Sequence, residues 1–299
     1  MTNPLRIPGD ETNSCHTYGE GRKNKKLPGN RLKWPVAWKN QKPLESEHPM
    51  IHLLLYSIIF IYGIIIGSFL NVCILRIPAG ESIVTEPSHC TKCGHRLHWY
   101  DLFPLFSYLF LRGKCRYCGA RISAQYPMIE AANGVLWVLT FVFCGFTLQS
   151  VLACLVISAL LALSVVDFRT YEIPFGFNVF IFLVGVVRLC TDLSHWTSYG
   201  IGFVCVSGFL LLLFLATKGR GIGGGDIKLM AAAGLFLGWK LCLLAFFLGL
   251  LYGSVIHIAR MKLSGEGKVL AMGPYLSAGI ITAIWFGDAI LSWYLRLFV

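Results

Sequence analysis

The sequence predicts an all-α polytopic membrane protein of about eight transmembrane helices, with a cysteine-bearing hairpin between the first and second. Three observations predict it. Of 299 residues, 56% are hydrophobic and only 14% are charged, too apolar a balance for a water-soluble domain of this size. From Met50 onward, apolar runs recur that meet or approach the roughly 20 residues needed to cross a bilayer core of about 30 Å. The ~10-residue alternating segments of a closed barrel are absent. The net charge of +11 raises the question of nucleic acid, but beyond residue 50 the basic residues sit in short loops between apolar runs, which is how membrane topology is written. Membrane lipid, and no nucleic acid, is therefore the expected surrounding.

Residues 1–49 are polar and basic with no sustained period, and read as a disordered tail. Met50 stands directly before the first apolar run, so a start of translation there, which leaves the tail untranslated, is the competing expectation. The first span covers 50–72 and a polar stretch follows over 73–126. The region 127–299 then holds seven further runs, near 127–146, 149–166, 174–190, 198–216, 227–238, 241–259 and 271–297, of which 227–238 is short. Charge orients them. If 73–126 faces the cytosol, the far side keeps only Arg188, Lys240 and Arg296 among the basic residues after the first span.

The polar stretch carries Cys90 and Cys93 in one CxxC and Cys115 and Cys118 in another. Two such pairs can offer four thiolates to one tetrahedral zinc, and Gly94 and Gly119, directly after each pair, suit the positive φ that wraps backbone around the sulfurs. A structural zinc site is the expectation, with a disulfide or redox pair as the alternative on a side of the membrane where disulfides are rare. His89, His95 and His98 are read as surface residues, because four cysteines complete the shell. The other seven of the eleven cysteines are read as small buried hydrophobes. Between the pairs, LFPLFSYLFL is apolar but too short to span, and reads as an interfacial segment.

Acids at membrane depth are expensive and mark functional candidates. Asp167 ends the third run in LSVVDFRTYEIP and Asp226 opens the sixth in GIGGGDIKLM, both at the cytosolic edge on this topology. Two carboxylates within a few ångströms cannot both ionise easily, so such a pair shares a proton and can serve as general base and general acid in peptide hydrolysis. Three other readings compete: ion pairs with Arg169 and Lys228, a helix-dipole cap at Asp226, and a proton- or cation-coupled transporter using the same aspartates. Gly223, Gly224 and Gly225 bring backbone without side-chain bulk beside Asp226, as a groove that pairs with a peptide strand requires. A phosphate loop is excluded because no GxxxxGK[ST] occurs. Asp288, in the last run, has no evident partner.

With these residues in place the chain resembles the bacterial prepilin peptidases, or type IV leader peptidases, of the GxGD class of intramembrane aspartic proteases. The resemblance rests on Gly223–Asp226, on DFRTYEIP at 167–174, on GSFLNVCILRIP at 67–78, the two CxxC pairs, LRGKCRYC at 111–118, YPMIE at 126–130 and MGPYLSAG at 272–279. It implies a bifunctional enzyme of the bacterial inner membrane. Such an enzyme cuts the leader from type IV prepilins or type II secretion pseudopilins at the cytosolic face, then N-methylates the new N-terminus with S-adenosylmethionine. By the same resemblance the catalytic pair falls on Asp167 and Asp226, and the zinc ligands on Cys90, Cys93, Cys115 and Cys118. Glu130 is the candidate for methyl transfer, against a plain acid at a helix start; Asn71 and Arg76 either position substrate or anchor the first span. The chain departs from the family pattern after Pro174, where Phe175 replaces the common asparagine or aspartate.

Overall fold

The computed structural model describes residues 49–219, 221–264 and 270–297; the expectation for the tail falls on 1–48 and lies outside the described residues. Its helices are α1 (Pro49–Ala79), α2 (Phe106–Phe110), α3 (Gln125–Cys144), α4 (Leu148–Thr170), α5 (Phe175–Thr191), α6 (Trp196–Ala216), α7 (Gly224–Leu237), α8 (Trp239–Ser264) and α9 (Gly273–Arg296). Six of them, α1, α3, α4, α6, α8 and α9, are long and apolar enough to cross a membrane. The apolar helices α5 and α7 are shorter, at 17 and 14 residues.

Local chemistry sets the breaks. Thr147 accepts the Ser150 N–H at 3.1 Å and opens α4. Gly238, at φ +78, ends α7 with its N–H on the Gly234 carbonyl, which separates α7 from α8 at the GWK sequence. The first helix corrects the sequence reading, because it runs past Val72 to Ala79. Its polar residues did not end it, since each finds a partner: Asn71 donates to the Tyr126 carbonyl at 3.1 Å, and Arg76 to the carbonyls of Ser82 and Glu86 at 3.1 and 2.9 Å.

The central helix is α4. Two-thirds of its most apolar stretch (67%) is buried within the protein, against 22% for α8, and Val156, Ile157, Leu160 and Leu163 are fully enclosed. Around it α1 packs on α3, α9 on α4 and α8, and α7 on α5 and α6. In lipid, helices gain little from burying one another's apolar surface, so close backbone approach must hold them together. At Gly63 a Cβ would lie 2.7 Å from the Cα of Gly134, joining α1 to α3; at Gly202 it would collide with the Gly234 carbonyl, joining α6 to α7. A buried polar chain adds specificity: Asn133 donates to the Gly63 carbonyl (2.7 Å) and accepts from Ser158 (2.8 Å), which accepts from Trp137 (2.8 Å).

Replacing Gly202 by alanine should destabilise the α6–α7 pair by about 1–3 kcal/mol. Thermal unfolding in detergent reads this; an unchanged midpoint contradicts the packing account.

Candidate functional site

Asp167 lies in the last turn of α4 and is only 4% exposed. Tyr171 adopts the left-handed conformation (φ +57) and returns its N–H to the Asp167 carbonyl at 2.8 Å, which stops α4 and turns the chain toward α5. Asp226 lies in the first turn of α7, where its carboxylate accepts the N–H of Gly223, half of the reciprocal arrangement of a capping box. Gly225, the residue before Asp226, packs against Ile173 in the turn that follows α4, so the last turn of α4 and the first turn of α7 share one end of the bundle.

Two glycines make this approach possible. A Cβ at Gly225 would lie 2.8 Å from the Cβ of Ile173 and would hold α7 away from the turn that follows α4. Gly273 donates its N–H to Asp167 Oδ2 at 2.8 Å, and a Cβ there would lie 2.7 Å from the same oxygen. Of the glycines marked as a groove, Gly225 is therefore packed on Ile173 and Gly223 lies under the Asp226 carboxylate, while Gly224 faces open space.

The neighbouring cations are occupied elsewhere. Arg169 donates to the Gln125 carboxamide, and Lys228 stands 5.1 Å over the ring of Phe175. Among the described residues neither aspartate forms an ion pair with them. Phe175, at the position where the family pattern departs, is thus the platform for Lys228. A cavity of about 430 Å³ adjoins this end of α4, lined by Ser164, Val165, Phe168, Arg169 and Pro274.

Sequence reasoning missed three residues here. Gly273 was visible only as part of a motif, with no role attached. Asn178, one turn into α5 from Pro174, and Ser277, one turn into α9 from Gly273, are 3% and 2% exposed, and their side-chain polar atoms have no hydrogen-bond partner among the described residues. An asparagine inside an apolar run was the available signal.

The four cysteines converge as their spacing requires. Their sulfurs all lie within 4.8 Å of one another, with Cys90 and Cys118 3.9 Å apart. Tetrahedral coordination at 2.3 Å separates sulfurs by about 3.8 Å, so the cluster can hold a metal ion. The two halves repeat one fold. Cys90 N–H bonds to His95 O (2.9 Å) and Gly94 N–H to Cys90 O (2.8 Å); Cys115 N–H bonds to Ala120 O (2.8 Å) and Gly119 N–H to Cys115 O (2.9 Å). Both glycines have φ +70, and an isolated bridge closes each turn, His89 with Arg96 and Lys114 with Arg121. Backbone N–H groups of Cys93 and Lys92 aimed at the Cys90 sulfur pull its thiol down to about 6.

Asp101 ties the loop to the second turn, accepting from Arg116 Nε (2.7 Å), Tyr117 OH (3.1 Å) and the His98 N–H (3.3 Å). Desolvation would raise its carboxyl, but these bonds outweigh it and hold it below the ordinary carboxylate range. His95 packs its ring 3.7 Å from that of Tyr117. Arg76 gathers the chain before the first cysteine pair, as an anchor of that segment. Glu130 lies past the first turn of α3, so it is no acid at a helix start; it is 6% exposed and accepts the Leu105 N–H at 2.8 Å.

Two family models match the chain. The bacterial peptidase A24 N-terminal domain matches residues 61–144, which include the four cysteines and Glu130, and the type IV leader peptidase family matches 154–258, which include both aspartates. The chain is 36% identical over 246 residues to the prepilin leader peptidase/N-methyltransferase of Bacillus subtilis (strain 168), covering 81% of this chain and 98% of that one. It is 31% identical over 290 residues to that of Aeromonas hydrophila (86% and 99%) and 30% over 282 residues to that of Pseudomonas aeruginosa (84% and 96%). No solved structure matches. The chain, built around a glycine-framed pair of aspartates and a four-cysteine hairpin, belongs to the bacterial prepilin leader peptidase/N-methyltransferase family.

Proposed function

We propose that Asp167 and Asp226 are the catalytic dyad by which this enzyme, a leader peptidase and N-methyltransferase of the inner membrane, cleaves prepilins or pseudopilins. The observation that carries the reading is a carboxylate in the last turn of α4, buried and held by the Gly273 N–H, and another in the first turn of α7 at the same end of the bundle, neither in an ion pair among the described residues. The carboxylate that is ionised takes a proton from water, whose oxygen attacks the scissile carbonyl. The protonated partner donates to the carbonyl oxygen, and the carbon–nitrogen bond breaks with a proton passed to the leaving amine. The shared proton belongs to the pair, so base and acid are not divided between the two residues. Gly273 fixes one oxygen of Asp167 and leaves the other for the reaction, and Gly224, with open space above it, is the backbone on which substrate lies.

The same reading takes α5 and α7 as the two shorter spans that complete eight, with the aspartates and the hairpin on the cytosolic side. That orientation follows from the basic residues around the hairpin and from the sparse charge on the far side. In this arrangement residues 73–126 are the cytosolic loop with its interfacial segment, and 127–299 the catalytic membrane domain. Zinc is the ion that suits four cysteine sulfurs in two tight turns, held by Cys90, Cys93, Cys115 and Cys118 as a structural clamp.

Methylation requires S-adenosylmethionine, which would supply the methyl group to the amine released by cleavage. The cavities at α4–α9 and on α6, of about 430 and 610 Å³, have no acidic side chain in their lining, and Glu130 is already bonded to the hairpin backbone. These residues do not make a fitting pocket for that cofactor.

In reconstituted enzyme given a prepilin-like peptide, Asp167→Asn and Asp226→Asn should each lower cleavage by about 100- to 10,000-fold with folding intact; retention of cleavage in both contradicts the dyad. Gly273→Ala, whose methyl group would meet Asp167 Oδ2, should lower kcat by about 100-fold, and an unaffected kcat contradicts the positioning of Asp167. Chelation of zinc should loosen the hairpin, read as faster proteolysis of 80–124, before cleavage falls; immediate loss of cleavage from folded protein contradicts a structural role for the metal.

A further inference from the structure

The segment between the two cysteine turns contains a backbone conformation that a leucine rarely adopts. Leu105 has φ +60 and ψ −50, and the Phe106 N–H bonds across it to the Pro104 carbonyl at 2.6 Å, closing a three-residue γ-turn. Such a turn persists only when its surroundings impose it. Here the imposing group is Glu130, whose carboxylate accepts the Leu105 N–H at 2.8 Å, at a level where a Cβ on Gly67 of α1 would lie 2.8 Å from the Glu130 Cα.

The depth of that bond is informative. Glu130 is the sixth residue of α3, a helix of membrane-spanning length, so it lies roughly 7–8 Å along the axis from the helix start. The bond holds the γ-turn at that level, beside the membrane domain and not above it. Around the turn, Leu102, Phe103, Phe106, Leu109 and Phe110 are 41%, 54%, 48%, 70% and 83% exposed. Trp99 and Tyr100 precede this ridge and Arg112 and Lys114 follow it, the aromatic and basic flanks of an element lying at a bilayer surface.

We propose that Glu130 is a positioning residue that latches the cysteine hairpin to α3 at a fixed depth and sets its ridge of Phe103, Phe106, Leu109 and Phe110 into the acyl region of the adjacent leaflet. This deepens the interfacial reading of the hairpin and rests on it. The occupant of the ridge is bilayer lipid, since the latch places it level with the lipid-facing surfaces of the spans.

The experiment is photo-crosslinking of the full chain in phosphatidylcholine vesicles carrying a diazirine on the acyl chain, with adducts mapped by mass spectrometry. Wild type should be labelled within 102–111 as strongly as the exposed face of α8 at Phe247 and Leu251, and hardly at 82–87. In Glu130→Ala, labelling of 102–111 should fall to the level of 82–87 while α8 is unchanged, and Glu130→Gln, which keeps an acceptor oxygen, should restore it. Should the alanine variant fail to fold, Phe106→Asp with Phe110→Asp must give the same local loss with α8 labelling intact. No labelling of 102–111 in wild type overturns the lipid surface; undiminished labelling in folded Glu130→Ala overturns the latch. Peptide cleavage measured on the same vesicles separates this from the dyad, since labelling needs no reaction and an inactive but labelled enzyme speaks only against the aspartates.

Discussion

A backbone free of side chains at two points, Gly225 and Gly273, is the constraint on which the site depends. Asp167 and Asp226 belong to helices that arrive from different parts of the sequence, and among the described residues neither forms an ion pair that would hold it in place. Ile173 at 2.8 Å from a hypothetical Gly225 Cβ, and Asp167 Oδ2 at 2.7 Å from a hypothetical Gly273 Cβ, show how little room remains. Each added methyl group would have to displace backbone or the carboxylate itself. In a bilayer, where apolar burial drives helices together only weakly, such close contacts are also what gives the bundle its register. The demands of packing and of chemistry therefore fall on the same residue type.

The hairpin solves a different problem, how to fold a short polar loop with almost no core. Its two turns repeat one pattern of backbone hydrogen bonds around paired cysteines, and a metal at their centre would supply the energy that an apolar interior supplies elsewhere. Asp101 then ties the loop to Arg116 and Tyr117, while Glu130 and Arg76 fasten it to the membrane helices. The apolar residues between the turns are left facing outward, which a soluble domain would not tolerate and a membrane surface does.

Much of this was legible in the sequence because the signals were local. Apolar run length marked the helices, six of them long enough to span, CxxC spacing with a following glycine marked the turns, and the sequence positions of Asp167 and Asp226 marked two helix ends. The end of α1 was placed too early because the apolar run stops near Val72; the partners that let Asn71 and Arg76 continue the helix, the Tyr126 carbonyl and the carbonyls of Ser82 and Glu86, exist only in the folded loop. Glu130 looked like an acid near a helix start for the same reason, its partner Leu105 being 25 residues away in sequence. The grip of Gly273 on Asp167 spans 106 residues and uses a backbone N–H, which no side-chain pattern can announce. Arg169 and Lys228 looked like natural counter-ions because they are adjacent in sequence, but a helix aims neighbouring residues in different directions, and they serve Gln125 and Phe175 instead.

Whether the two carboxylates act as one unit is read by a double-substitution cycle on the cleavage rate. Single-turnover rates would be measured for the wild type, each aspartate-to-asparagine variant and the double variant, with metal content and unfolding temperature matched. Groups that share one proton and one step fail together, so the double variant should be no slower than the slower single variant. If the two losses instead multiply, Asp167 and Asp226 contribute independently and the dyad is contradicted.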